Sequence, residues 1–149
     1  MDVITFKDNE PVDPEVIRTK VSDDPSISHV SLVHSETTAG LLNPIEHIGQ
    51  AIHETNPDVQ YIVDTMSSFG GVPIDMQEAH IDYLVSSSNK MLQGVPGIAY
   101  AICKINRLEK TKGNARSLCL DLYDQWEYQL FNPGQFRFTP PTHVLVAFD

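Results

Sequence analysis

The chain has 149 residues, 41% hydrophobic and 20% charged, enough for one globular domain with a sizeable core. Its formal net charge of −10, with no Lys/Arg cluster, speaks against nucleic acid or an anionic membrane surface as partner, though not against a small anionic ligand. No apolar run approaches membrane-spanning length, and the two cysteines, Cys103 and Cys119, show neither metal spacing nor a disulfide framework.

The first ten residues are acidic and do not read as a signal or transit peptide. With so few cysteines this points to a reducing compartment, the cytoplasm, with an organelle left open. Asp13-Pro14-Glu15 reads as a helix start, with an N-cap, a proline in the first turn and an acid behind it; the helix runs to about Val21, where Asp23-Asp24-Pro25 breaks it. His29 to His34 alternates around Val30, Leu32 and Val33 as a strand does, and Ser35 to Gly40 is a loop of hydroxyls and small residues. Asn43-Pro44-Ile45-Glu46 opens a second helix with Ile45, Ile48 and Ile52 on one face. A short apolar strand follows at Val59 to Val63, then a loop at Ser67 to Gly71. Asp75 to Ala79 reads as a short helix, Ile81 to Val85 as a third strand and Gly97 to Cys103 as a fourth. The remainder reads as mostly helical, clearest from Asp121 to Leu130, with an extended, proline-bound stretch from Phe136 to Thr142.

Helices alternating with short apolar strands predict an α/β layer fold, a mainly parallel sheet flanked by helices on both faces. Ligands bind such sheets at the carboxyl ends of the strands. The Thr37 loop, Asp64 and the loop carrying Lys90 all fall there. Neighbouring strands lie roughly 4.8 Å apart. An aspartate and a lysine ending close neighbours would therefore face one crevice that a pyridine ring can fill. That pairing suits pyridoxal 5'-phosphate (PLP), which takes a Schiff-base lysine at its aldehyde and a carboxylate at its ring nitrogen. Singly, each residue has a plainer reading: a lysine after a strand is commonly solvated, and an aspartate there commonly caps a turn. Only the joint arrangement points to a cofactor.

The segments His34 to Gly40, Asp64 to Gly71 and Ser86 to Gly97 resemble the class V aminotransferases. Two later segments, Ala115 to Trp126 and Arg137 to Val144, are similar to the branch of that family acting on 2-aminoethylphosphonate and pyruvate. The likeness runs from about His29 to the last residue, and five blocks in order at fitting intervals make it specific. It implies a PLP fold-type-I large domain and transfer of the donor's amino group to pyruvate, giving phosphonoacetaldehyde and L-alanine. Another class V transaminase, of the alanine/serine–glyoxylate type, or a non-catalytic piece that only associates with a partner chain, stand as alternatives. By position the resemblance assigns Lys90 the Schiff base and Asp64 the pyridinium nitrogen. It gives Thr37 the phenolic oxygen, Met66 a ring face, and Ser87 and Asn89 the cofactor phosphate. Thr139 would reach the phosphate of the partner subunit in a homodimer; without the resemblance it reads equally well as a turn residue before Pro140. A glycine-rich phosphate loop, a stacking aromatic and a small C-terminal domain with a substrate-binding arginine belong to the family pattern and are not identifiable here. Residues 1–149 are therefore expected to be one partial domain, the central part of a large domain.

Overall fold

Asp13 begins the first helix as the sequence predicts. In this computed structural model, which describes residues 1–149, its side chain accepts the Glu15 N–H at 2.9 Å, and Pro14 stands at the first helical position. Helix α1 spans Pro14–Asp23 and buries Ile17 and Val21. Helix α2, Ile45–Thr55, buries Ile45, Ile48, Gly49, Ala51 and Ile52 along one stripe. Both helices lie on the same face of a four-stranded sheet.

That sheet has the order β1 (His29–Val33), β4 (Gln60–Asp64), β5 (Tyr83–Ser87), β6 (Ala99–Cys103). The pairs β1–β4 and β4–β5 are parallel and β5–β6 is antiparallel, so the sheet is mainly parallel as expected. A two-residue hairpin pair, β2 (Ser35–Glu36) and β3 (Leu41–Leu42), follows β1. The direction of β6 follows from its connection. A parallel return needs a crossover of a dozen or more residues, usually a helix. Only residues 88–98, without a helix, join β5 to β6.

Tyr61, Val63 and Leu84 point from β4 and β5 toward α1 and α2, and with Ile17, Val21, Ile48, Ile52 and Ile81 they form the principal core. Burying each such aliphatic side chain contributes roughly 1.5–3 kcal/mol before entropy is counted. The opposite face is covered only in part. A small cluster of Tyr83, Leu108 and Tyr123, with Trp126 against it, packs α3 (Ile105–Leu108) and α4 (Leu122–Phe131) over β5 and β6. His29, Ser31 and Val33 of β1 stay exposed. The expectation of a sheet covered on both faces is corrected to that extent.

Three further expectations change. Asp75 to Ala79 is a run of turns, not a helix. Asp75 accepts the N–H groups of Gln77 and Glu78 on one carboxylate oxygen, and Ala79 N–H reaches the Asp75 carbonyl, which completes a single turn. His80 then takes a left-handed φ of 52° and ends it. The third strand begins at Tyr83 rather than Ile81, because the Asp82 carboxylate, not a backbone carbonyl, accepts the Tyr61 N–H at 3.0 Å. The C-terminal third holds the short α3, a 3-10 turn at Glu109–Thr111, α4 and α5 (Thr142–Phe148), with residues 112–121 non-helical between them. No helix is long and apolar enough to cross a membrane.

Candidate functional site

The three parallel strands end together. Val33, Asp64 and Val85 are in register across β1, β4 and β5, so the segments that follow them open on one rim. Alternation decides the faces: Val63, Leu84 and Ser86 turn toward the helical core, and Asp64, Val85 and Ser87 turn away from it.

Asp64 is half-buried at the last position of β4. One carboxylate oxygen accepts the Met66 N–H at 2.8 Å, and the other makes no hydrogen bond to the protein. The Asp64 carbonyl accepts the His34 N–H at 2.8 Å, which carries the β1 pairing one residue past the strand. Thr65, fully buried, gives both its N–H (2.8 Å) and its hydroxyl (3.0 Å) to the Val85 carbonyl, and Ser86 returns its hydroxyl to the Thr65 carbonyl at 3.3 Å. These bonds stitch the ends of β4 and β5 to each other, and sequence reading missed them. The signal was present: β5 runs on through Ser87, so the serines it had placed in a loop alternate between the two faces of a strand.

Past the strands, the segment after Asp64 and the turn after Lys90 pack against one another. Gly70 has φ 89°, and a Cβ there would come within 2.6 Å of the Leu92 side chain; at Gly71 it would collide with the Met91 methyl group. The loop that follows Asp64 and the turn that carries Lys90 thus meet at the same end of the sheet. Met66 is half-buried at the start of that loop. Ser87 donates its hydroxyl to the Asn89 side-chain carbonyl at 3.0 Å. Lys90 is exposed and forms no ion pair.

Thr37 lies exposed at the tip of the β2–β3 hairpin, which leaves the carboxyl end of β1. Thr139 is exposed in the segment between α4 and α5 and makes no hydrogen bond to any of the other six residues. Buried His34, in the first of the resembling segments, has an unpartnered Nδ1, and burial pushes its pKa below the ordinary histidine value.

Two cavities lie elsewhere. One of about 700 Å³ sits between the N-terminal segment, α1 and β1, and one of about 320 Å³ lies at the opposite end of the strands beside Asp82, Lys104 and Arg107. The first is lined mainly by apolar side chains such as Ile17, Val30 and Leu32. In the second, Lys104 and Arg107 are turned onto the buried Asp82 carboxylate at 3.1 and 3.3 Å. By contrast, β4 ends in Asp64, with one carboxylate oxygen free of protein hydrogen bonds, and the turn that follows β5 carries the unpaired primary amine of Lys90. That donor set fits an aromatic heterocycle that carries an aldehyde.

A mainly parallel α/β sheet binds its ligands at the carboxyl ends of its strands, and the chain belongs to the class V aminotransferase family: the family described as Aminotransferase class-V matches residues 1–149. Within it, the chain is 52% identical over 145 residues to the 2-aminoethylphosphonate–pyruvate transaminase of Lactiplantibacillus plantarum, covering 97% of this chain and 39% of that protein. It is likewise 52% identical over 141 residues to the enzyme of the same name from Lysinibacillus sphaericus, covering 95% of this chain and 37% of that protein. Among solved structures it superposes on pyridoxamine-pyruvate aminotransferase from Mesorhizobium loti with a TM-score of 0.82 at 29% identity, over 94% of this chain and 36% of that one. Alanine–glyoxylate aminotransferase from Nostoc sp. gives 0.77 at 26% identity, over 94% and 37%. The chain therefore spans less than two fifths of the length of these relatives.

Proposed function

We propose that this chain is the cofactor-bearing part of a homodimeric enzyme that moves the amino group of 2-aminoethylphosphonate to pyruvate, yielding phosphonoacetaldehyde and L-alanine. The observation that carries this reading is the 52% identity along 97% of the chain to a transaminase of that name. The rim supports the chemistry. Lys90 offers the amine that anchors PLP, and Asp64 offers its free carboxylate oxygen to the ring nitrogen. Bound there, PLP supplies an electron sink for the carbanion left when the substrate carbon loses a proton. With PLP held there, the Lys90 amine would be the group that takes the proton from the substrate carbon and passes it onward. Asp64 keeps the ring nitrogen protonated, Met66 and Thr37 hold the ring's face and its phenolic oxygen, and Ser87 and Asn89 hold the phosphate. Thr139, exposed between α4 and α5, serves the partner subunit's phosphate.

The test is spectroscopic. Wild-type chain mixed with PLP is expected to develop a visible absorbance band that Lys90→Ala lacks. A folded wild-type chain without such a band overturns the reading of the rim. Donor assays with 2-aminoethylphosphonate, alanine and serine on the band-forming protein then separate this substrate from the glyoxylate-type transaminases.

A further inference from the structure

Ser88 sits two residues before the rim lysine, and none of its polar groups is directed to the rim. It is fully buried. Its N–H donates to the Ile98 carbonyl at 3.2 Å, its carbonyl accepts the Gly94 N–H at 2.7 Å, and its hydroxyl donates to the Val95 carbonyl at 2.6 Å. The turn between them is closed again from inside, where Gln93 N–H reaches the Lys90 carbonyl at 2.9 Å with Gln93 held at a left-handed φ of 58°. Gly94 approaches so closely that a Cβ on it would lie 2.9 Å from the Ser88 carbonyl oxygen and 2.5 Å from the Phe148 ring of α5. Val144, also of α5, packs on Gly97. One residue earlier, Ser87 faces the other side of the sheet and donates its hydroxyl to the Asn89 side chain.

We propose that Ser88 is a positioning residue for Lys90: it locks both ends of the lysine-bearing turn to the β5–β6 ladder and so fixes the point from which the amine reaches the rim. This rests on the reading of Lys90 as the cofactor-anchoring amine. A residue acting this way touches no cofactor. Its loss loosens residues 89–97 while the strands on either side keep their pairing.

Two measurements on the full 149-residue chain test it, with Ser88→Ala, which removes the hydroxyl, and Ser88→Cys, which replaces it with a poor donor. The first is amide hydrogen exchange without cofactor. Loss of one hydrogen bond of ordinary strength is expected to speed exchange at Gly94 about tenfold, with Ile102 in the ladder unchanged. The second is the rate at which PLP becomes fixed to Lys90 on borohydride reduction, followed by mass spectrometry. That rate is expected to fall about tenfold in both variants if the turn sets the reach of the amine. Faster Gly94 exchange with an undiminished Lys90 rate makes Ser88 a structural tie only and overturns the proposal, as does no change in either. Wild-type chain that fixes no cofactor on Lys90 overturns the reading of the rim itself, and the positioning role goes with it.

Discussion

Asp82 is a residue whose weight comes wholly from its surroundings. Its buried carboxylate accepts the Tyr61 N–H on one oxygen, and Lys104 and Arg107 on the other at 3.1 and 3.3 Å. Arg107 also reaches the Pro57 carbonyl at 2.6 Å, so one carboxylate ties the starts of β4 and β5 to the end of β6. Replacing it by alanine strands a partly buried guanidinium and a backbone N–H together. Asp82→Ala is expected to cost about 3 kcal/mol in urea unfolding. An unchanged denaturation midpoint would remove the tie from the account. His34 gives a pH dependence whose sign is fixed by burial. Its folded-state pKa lies below the ordinary value, so the unfolded chain takes up the proton first. Stability is thus complete above a pH of about 6.5 and is lost as pH falls from there through the folded value. The folded value is depressed at His80 as well, by burial and then by His53 and Lys104, with Asp82 and Glu54 opposing. His34→Leu is therefore expected to flatten the acid slope of the urea midpoint without abolishing it. Asp64 and Lys90 stand out in the sequence because each follows an apolar run, Asp64 directly and Lys90 after Ser86 to Asn89. Asp82, Thr65 and Ser88 do not, because what buries them comes from other strands and turns.

At the scale of elements, the spacing of α2 from the sheet is set by one residue. Gly49 stands where a Cβ would collide with the Ala79 carbonyl oxygen and meet the Tyr61 ring at 3.2 Å. In an exposed helix interior, Gly→Ala stabilises by about 1 kcal/mol through backbone entropy. Here the obstacle is backbone, which cannot rotate aside, so α2 would have to lift from Tyr61, Val63 and Ile81. Gly49→Ala is expected to destabilise by about 2 kcal/mol, opposite in sign to the propensity, as overpacking does. A rise in thermal midpoint would show that the helix shifts without cost. The same comparison of local and tertiary forces explains which elements could be read in advance. Helix α1 carries its own cap, and both α1 and α2 carry apolar stripes, so their sequences announce them. Asp75 to Ala79 has a good capping residue and room for only one turn, since Ile81 must already be in the core; propensity cannot act over so short a span. The antiparallel direction of β6 leaves no mark in Ala99–Cys103 itself and was legible only in the shortness of the connection before it.

The whole molecule is lopsided. One face of its sheet is closed by α1 and α2, the other is closed only over β5 and β6, and β1, first in the strand order and paired only with β4, keeps a free edge. Apolar side chains also stand in solvent along the C-terminal third: Leu118 at 68% exposure, Leu120 at 74%, Phe131 at 75% and Val146 at 77%. A free edge and exposed large apolar groups both favour contact between copies. Opposing them is a net charge of −10, whose repulsion acts over roughly 8 Å at physiological ionic strength and about 3 Å at 1 M salt. The two terms scale differently with salt, which separates them. Sedimentation of the chain is expected to show association that grows as salt is raised from low ionic strength, because screening removes repulsion and leaves the apolar attraction intact. Leu120→Glu with Phe131→Glu adds charge at two solvent-facing positions, so it should weaken association without lowering the unfolding free energy in urea by more than about 0.5 kcal/mol. A chain that stays monomeric at every salt concentration would mean that the apolar surface is too dispersed to join two copies. Association that weakens with salt would place the attraction in ion pairs instead.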